Sequence, residues 1–201
     1  MIKVNYRYII LLNDKLVFNK YFKEYLKRDY INLRECSLSE FEKFLKGKEV
    51  LFAKPPIGEG GHGILKILVK DYINTKDLYD TLISKKLYLV EEAIIQSNDL
   101  NEINPNVVNS FRIVTLYKDN KVYIINNALR INQDKTSVIG CSNDLYCSLD
   151  ESGKIDSNVI DDYANVYNEH PLTKKKFSDV KINGVKEAFE MCKEAAKKFL
   201  K

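Results

Sequence analysis

The stretch FAKPPIGEGGHGILKI, residues 52–67, decides how the first part of this chain folds. It contains four glycines, at positions 58, 60, 61 and 63, shortly after a lysine and two prolines. Glycine has no Cβ, so backbone N–H groups in such a loop are free to approach phosphate oxygens. The stretch therefore predicts either a loop that covers a nucleotide or a mobile hairpin tip without a ligand.

The segments on both sides of these glycines predict strands. VLFAKP, residues 50–55, is a short apolar run bounded by proline, and GILKILVK, residues 63–70, is the next apolar run. A Walker-type loop or a dinucleotide-binding loop would instead open a helix. Both of those loop types are therefore excluded, and the glycines are expected to join two strands as a hairpin.

Composition limits the class of protein. The chain has 201 residues, is 45% hydrophobic and carries a net charge of +4 with acids and bases intermixed, so a folded core is expected and a nucleic-acid face is not. No pair of its four cysteines has the C-x-x-C spacing of a zinc site. No signal peptide and no membrane-spanning run is visible, so we expect a cytoplasmic protein with free thiols.

Helical spacing predicts three helices in the first part of the chain. They cover residues 13–29, 37–48 and 77–86, and the second begins with a capping box formed by Ser37 and Glu40.

The second part of the chain predicts mainly strands. Residues 111–117 and 121–131 alternate as strands around a turn at 118–120. A further hairpin is expected around residues 151–153, and residues 183–200 have the apolar stripe of an amphipathic helix.

Tight reversals and few crossover helices predict an α+β fold with antiparallel sheets and packed helices. We expect two lobes, residues 1–86 with the glycine hairpin and residues 87–201 beginning with the strand LYLVEE. A cleft between them would set the glycine loop opposite the strand pair.

In this order the segments resemble the ATP-grasp superfamily, and more closely its sugar-transfer-associated branch. The resemblance covers nearly the whole chain, from about Asn13 onward. It is carried by NDKLVFNKYF, LFAKPPIGEGGHGI, LYLVEEAIIQ, NSFRIVTLY, NNALRI, CSLDESGKI and EHPLTKKKF.

The resemblance implies that ATP is clamped between the two lobes, and it assigns a role to eleven residues of this sequence. Lys15 and Lys54 match phosphate-binding lysines, Glu59, Gly60, Gly61 and Gly63 the covering loop, Glu91, Glu92 and Ala93 the hinge strand that reads adenine and ribose, and Arg112 and Arg130 the catalytic cations.

Each of these residue types also has an ordinary structural role. Lys15 is equally expected as an exposed helix lysine, and Glu91 and Glu92 as acids at a strand end. Arg112 and Arg130 lie among apolar neighbours, where an inward arginine needs an anion. That anion is either a ligand or a carboxylate of the protein.

The metal site that the resemblance implies is the weakest part of the match. ATP-grasp enzymes activate a carboxylate as an acyl phosphate, with Mg²⁺ on the phosphates. The family's late aspartate and E-x-N strands have no counterpart, since no E-x-N triplet follows Arg130. Asp150 is the one residue predicted as a metal ligand, with Asp144 as a further candidate.

Three explanations stay open for this incomplete match. The sequence represents a fragment of a longer ligase that also has a preceding domain, one part of a split enzyme completed by a second chain, or an inactive nucleotide-binding or scaffold protein. The resemblance implies a small-molecule or sugar-linked substrate and a place in cell-surface polysaccharide synthesis.

Overall fold

The computed structural model describes residues 9–58, 60–133, 135 and 144–198. The chain divides into two compact units that meet between Ile94 and Ile95. The predicted boundary lies earlier, after residue 86. The observed boundary lies after residue 94 because the strand LYLVEE pairs with strands of the first unit and does not begin the second.

The first unit is a four-stranded antiparallel sheet with helices. Its elements are α1 (Ile9–Asn13), α2 (Lys15–Tyr21), a 3₁₀ turn (Lys23–Tyr25), β1 (Tyr30–Asn32), α3 (Leu38–Leu45), β2 (Val50–Lys54), β3 (Leu65–Leu68), a 3₁₀ turn (Val69–Asp71), α4 (Thr75–Ser84) and β4 (Leu89–Glu92). The strand order is β1-β4-β2-β3.

Local signals define several of these boundaries. Asp14 caps α2 by accepting from the N–H groups of its first turn. The predicted capping box of Ser37 and Glu40 is present at α3, with both reciprocal bonds formed. The predicted hairpin is confirmed, because β2 and β3 pair antiparallel on either side of the glycines.

One face of the first sheet carries the apolar core of this unit. Leu51 and Ala53 of β2 are fully buried there, together with Phe41 of α3 and Leu82 of α4. Because side chains alternate along a strand, Phe52, Lys54 and the β4 residues aligned with them lie on the opposite face.

The second unit is a five-stranded antiparallel sheet in the order β5-β6-β7-β8-β9. Its elements are α5 (Asn98–Ile103), β5 (Ser110–Lys118), β6 (Lys121–Asn132), β7 (Asp144–Cys147), β8 (Val159–Ile160), β9 (Val166–Tyr167), a 3₁₀ turn (Phe177–Asp179) and α6 (Val185–Lys197). The predicted α+β class with antiparallel sheets is thus confirmed.

The long hairpin of the second unit is built on its turn. Asp119 and Asn120 both have positive φ, 51° and 60°, as a two-residue reversal between twisted strands requires. The predicted helix α6 lies on this sheet through its buried residues Val185 and Phe189, and the Phe189 ring is 5.8 Å from that of Phe111.

Among the residues that the structure describes, no helix is both long and apolar enough to cross a membrane. Cys36, Cys147 and Cys192 are free thiols, and burial raises the pKa of Cys147 to about 12. Cys141 lies outside the described residues.

Candidate functional site

A buried carboxylate lies on the face of the first sheet opposite its core. Glu91 of β4 aligns with Phe52 of β2, one step from Lys54 along the same face. The Glu91 side chain is only 2% exposed. A carboxylate buried to this degree requires cations or several hydrogen-bond donors.

Glu91 has both. Its Oε1 accepts from Asn19 Nδ2 at 2.9 Å and from an Arg28 nitrogen at 2.8 Å, and its Oε2 forms an ion pair with Lys54 Nζ. Burial by itself would raise the pKa of Glu91. The Lys54 ammonium and the Arg28 guanidinium outweigh that effect and hold the pKa below its ordinary value, so Glu91 is ionised at neutral pH.

The loop that follows Lys54 has the backbone conformation that its glycines permit. Gly58, Gly60, Gly61 and Gly63 all have positive φ, between 64° and 145°. A Cβ at Gly63 would come 3.4 Å from Pro55 Cγ. Other residue types would therefore be strained here.

Lys15 attaches this loop to the start of α2. Its Nζ donates to the carbonyl of Gly58 at 2.6 Å, and its backbone N–H donates to the carbonyl of Pro56 at 2.8 Å. Asn19, one helical turn further on, points to the same sheet face and reaches Glu91. Helix α2 thus contacts both the glycine loop and the Glu91 cluster, which consists of Glu91, Asn19, Arg28 and Lys54.

The next residues of the hinge strand have other contacts. Glu92 Oε1 accepts from the N–H of Asp29 at 2.8 Å, and its other oxygen is 3.7 Å from Lys48 Nζ. The Ala93 N–H donates to the carbonyl of Val50 at 3.3 Å. Glu92 keeps 32% of its side chain exposed, far more than Glu91.

In the second unit, two arginines share one face of the long hairpin. Ser110 pairs with Arg130 and Arg112 with Ala128, so these four residues line the side opposite the apolar core; we call it the arginine face. Arg112 is exposed, and its side chain has no polar partner within the described ranges.

Arg130 is held more tightly than Arg112. Its guanidinium forms an ion pair with Asp144, which is 4% exposed, and lies 5.9 Å from the ring centre of Tyr146. Its Nε is buried without a hydrogen-bond partner in the described structure. Burial lowers and the Asp144 bond raises the pKa of Arg130, with a net rise, so the charge is permanent.

Asp150, the predicted metal ligand, organises a turn. Its Oδ1 accepts from the N–H groups of Ser152 and Lys154 and from the Ser152 hydroxyl. The Ser152 hydroxyl and these N–H groups lower the pKa of Asp150. The hairpin expected at 151–153 forms around it as a single bridge, Leu149 with Ile155.

Comparison with known families decides what these parts belong to. The family model described as sugar-transfer associated ATP-grasp matches residues 2–201. The chain belongs to the sugar-transfer-associated ATP-grasp family. No curated protein and no solved structure matches this ATP-grasp chain.

Most residues that the ATP-grasp resemblance singled out in the first unit lie close together. Lys15 contacts the loop, Lys54 precedes it, and Glu91 holds Lys54. Glu59 lies outside the described residues. In the second unit the two arginines lie on the paired strands β5 and β6, and the register places them on one face.

Sequence reasoning missed three partners in this ATP-grasp chain. Asn19 had a usable signal, since its spacing of four from Lys15 places both on one side of a helix. Arg28 had none, because its contact with Glu91 joins positions 63 residues apart. Asp144 was considered as a metal ligand, but the structure pairs it with Arg130.

The magnesium site implied by the ATP-grasp family does not fit the residues that the structure describes. Among them, no group of three His, Cys, Asp or Glu side chains is arranged to hold a metal ion. Asp144 and Asp150 are engaged by Arg130 and by the turn. Mg²⁺ needs convergent oxygen ligands, and the described side chains do not supply such a set.

Proposed function

We propose that this protein binds ATP, with the first unit holding the triphosphate and the nucleoside. The observation that carries the proposal is the position of Lys54. It ends a strand immediately before a loop of left-handed glycines, and a buried carboxylate fixes its ammonium. A fixed cation beside exposed backbone N–H groups is the chemistry that phosphate oxygens require.

Each predicted residue then has a role in the proposal. Lys15 and Lys54 contact the phosphates. The loop that covers the phosphates contains Gly60, Gly61 and Gly63, and Glu59 belongs to it by its place in the sequence. Glu91 supports Lys54 rather than touching ribose, because both of its oxygens are already bonded. The more exposed Glu92, with the Ala93 backbone, is the candidate for ribose and adenine.

We further propose that the arginine face handles the reacting group. In carboxylate activation, a substrate carboxylate oxygen attacks the γ-phosphorus and the bond to the β–γ bridging oxygen breaks. The products are an acyl phosphate and ADP, and a nucleophile then displaces inorganic phosphate. Arg112 and Arg130 would balance the charge of the transferring phosphoryl group. A sugar-linked substrate from cell-surface polysaccharide synthesis is the class that the family description supports.

A second candidate function is nucleotide binding without turnover by this chain alone. The observation that favours it is the lack of a grouped set of metal-binding side chains in the described ranges. A partner chain that supplies the acidic ligands would restore the reaction. A nucleotide-binding scaffold would show no reaction with any partner.

Calorimetry with ATP, with and without Mg²⁺, tests the binding proposal. We expect saturable binding that Lys54→Ala weakens at least tenfold, since one charge-assisted contact is worth about 1.5–3 kcal/mol. Lys76→Ala is the matched control, because it removes the same charge from the exposed surface of α4. No heat and no thermal stabilisation by millimolar ATP would refute the proposal.

Measurement of ADP release separates the ligase from the binding-only alternative. The wild-type chain is incubated with ATP, Mg²⁺ and a panel of sugar acids and amines. Release that depends on one acid and is lost in Arg112→Ala supports the ligase. If the chain binds ATP but releases no ADP with any member of the panel, the result favours nucleotide binding without turnover.

A further inference from the structure

We infer that Arg28 is a positioning residue of the phosphate site, acting through Glu91 to keep the charge of Lys54 available for a ligand. This inference rests on the proposed nucleotide-binding function. Arg28 lies between the 3₁₀ turn at 23–25 and β1, outside every segment on which the family resemblance depends.

The two oxygens of Glu91 are divided between two cations. Arg28 bonds Oε1 at 2.8 Å, an oxygen it shares with Asn19, and Lys54 pairs with Oε2. The carboxylate is 2% exposed, whereas the Arg28 and Lys54 side chains keep 26% and 16%. Both cations therefore retain a side open to a ligand, while their common anion does not.

The charges of this cluster do not cancel. Among the described residues, one carboxylate pairs with two cationic side chains, which leaves an excess of one positive charge on a largely buried group. Lys66 aligns with Phe52 on the same face, but it is exposed and solvent screens its charge. Uncompensated charge at a poorly solvated site is costly, so an anionic ligand would stabilise it.

Arg28 changes what Lys54 is able to do. Without Arg28, Glu91 and Lys54 would form a neutral pair, and a phosphate would have to compete with the carboxylate for the ammonium. With Arg28, the Glu91 charge is already balanced by the guanidinium that bonds its Oε1. Lys54 is then fixed in place but not neutralised.

Affinity measurements on Arg28 variants test this role. We expect Arg28→Gln to raise the ATP dissociation constant about tenfold, the size of one charge-assisted hydrogen bond, and to leave adenosine binding within about twofold. Arg28→Lys, which keeps the charge, should restore most of the loss. Arg34→Gln is the control, because Arg34 stacks on Tyr88 in the same unit and forms no ion pair within the described ranges.

A double-mutant cycle identifies the route of the effect. If Arg28 acts through Glu91, Arg28→Gln should change ATP affinity less than twofold when Glu91→Gln is already present. A tenfold loss that persists there means that Arg28 contacts the nucleotide directly, and it overturns the inference. So does equal weakening of ATP and adenosine, which would indicate a structural defect.

The inference and the proposed function fail in distinguishable ways. Wild-type protein that binds no ATP refutes both. If wild-type protein binds ATP, and Lys54→Ala weakens this binding whereas Arg28→Gln leaves it unchanged, only the role of Arg28 is refuted.

Discussion

Replacement of Glu91 by glutamine removes the carboxylate that pairs with two cations, Arg28 and Lys54, and we expect it to destabilise the first unit. The new amide is nearly isosteric and can still accept from Arg28 or Asn19 through one oxygen. Lys54, however, loses its counterion. Packing changes little, so the effect is mainly electrostatic.

The magnitude follows from how deeply each group is buried. Removing one partner of a buried ion pair costs about 3–5 kcal/mol of unfolding free energy. Lys54 and Arg28 keep 16% and 26% exposure, so water takes up part of their charge. We therefore expect a loss of about 2–4 kcal/mol.

Urea unfolding followed by far-UV circular dichroism measures this loss, because the chain has no tryptophan for fluorescence. Glu92→Gln is the matched control: the same change at the next residue of β4, where 32% of the side chain is exposed, should cost less than about 1 kcal/mol. A Glu91→Gln loss no larger than that of the control would refute the reasoning.

The pH dependence gives an independent check on Glu91. Its folded pKa is lower than its ordinary value of 4.5, so the stabilisation is complete above that value and is lost as the pH falls further. The difference in unfolding free energy between wild type and Glu91→Gln should therefore become smaller in acid. A gap that stays constant from neutral pH to pH 3 would show that the charge of Glu91 is not its source.

Two further predictions concern the second unit. Gly153→Ala should destabilise it by more than about 3 kcal/mol in urea unfolding, because φ is 85° and a Cβ would lie 1.8 Å from the Ile182 carbonyl oxygen. Gly184→Ala, at φ 80° but with open space around a Cβ, should lower the free energy of unfolding by only about 1–2 kcal/mol. Equal losses for the two variants would show that the clash with Ile182 does not determine the effect at Gly153. Burial lowers the pKa of His170, so wild-type stability should fall as the pH drops below its ordinary value of 6.5, by at most about 1.4 kcal/mol per pH unit. His170→Gln should remove this slope, and a slope that survives the substitution would assign it to another group.

His170 also illustrates what a local reading leaves out. The chain reverses at His170, whose N–H donates to the Lys175 carbonyl, as a proline at the next position allows. The structure adds that the ring is fully buried. Its Nδ1 accepts from the N–H groups of Leu172 and Thr173, so Nε2 carries the proton and donates to the Asn132 carbonyl.

The sequence by itself determined the features that depend on neighbours along the chain. The capping box at Ser37, the turn at Asp119 and Asn120 and the glycine hairpin each need only a few adjacent residues. The positions of Lys54 and of the paired Arg112 and Arg130 strands follow from the same local rules, because a strand's period of two fixes which side chains share a face.

Only the tertiary structure decided which of these side chains hold each other. Glu91 was one of three candidates on the hinge strand for contacts with adenine and ribose, and the structure bonds it to Lys54 and Arg28, which lie 37 and 63 positions away. Asp144, a candidate metal ligand, likewise forms an ion pair with Arg130. Whether a charged residue is free for a ligand depends on its burial and its partners, and both are set by the packing of α2 and the strands, not by any short stretch of sequence.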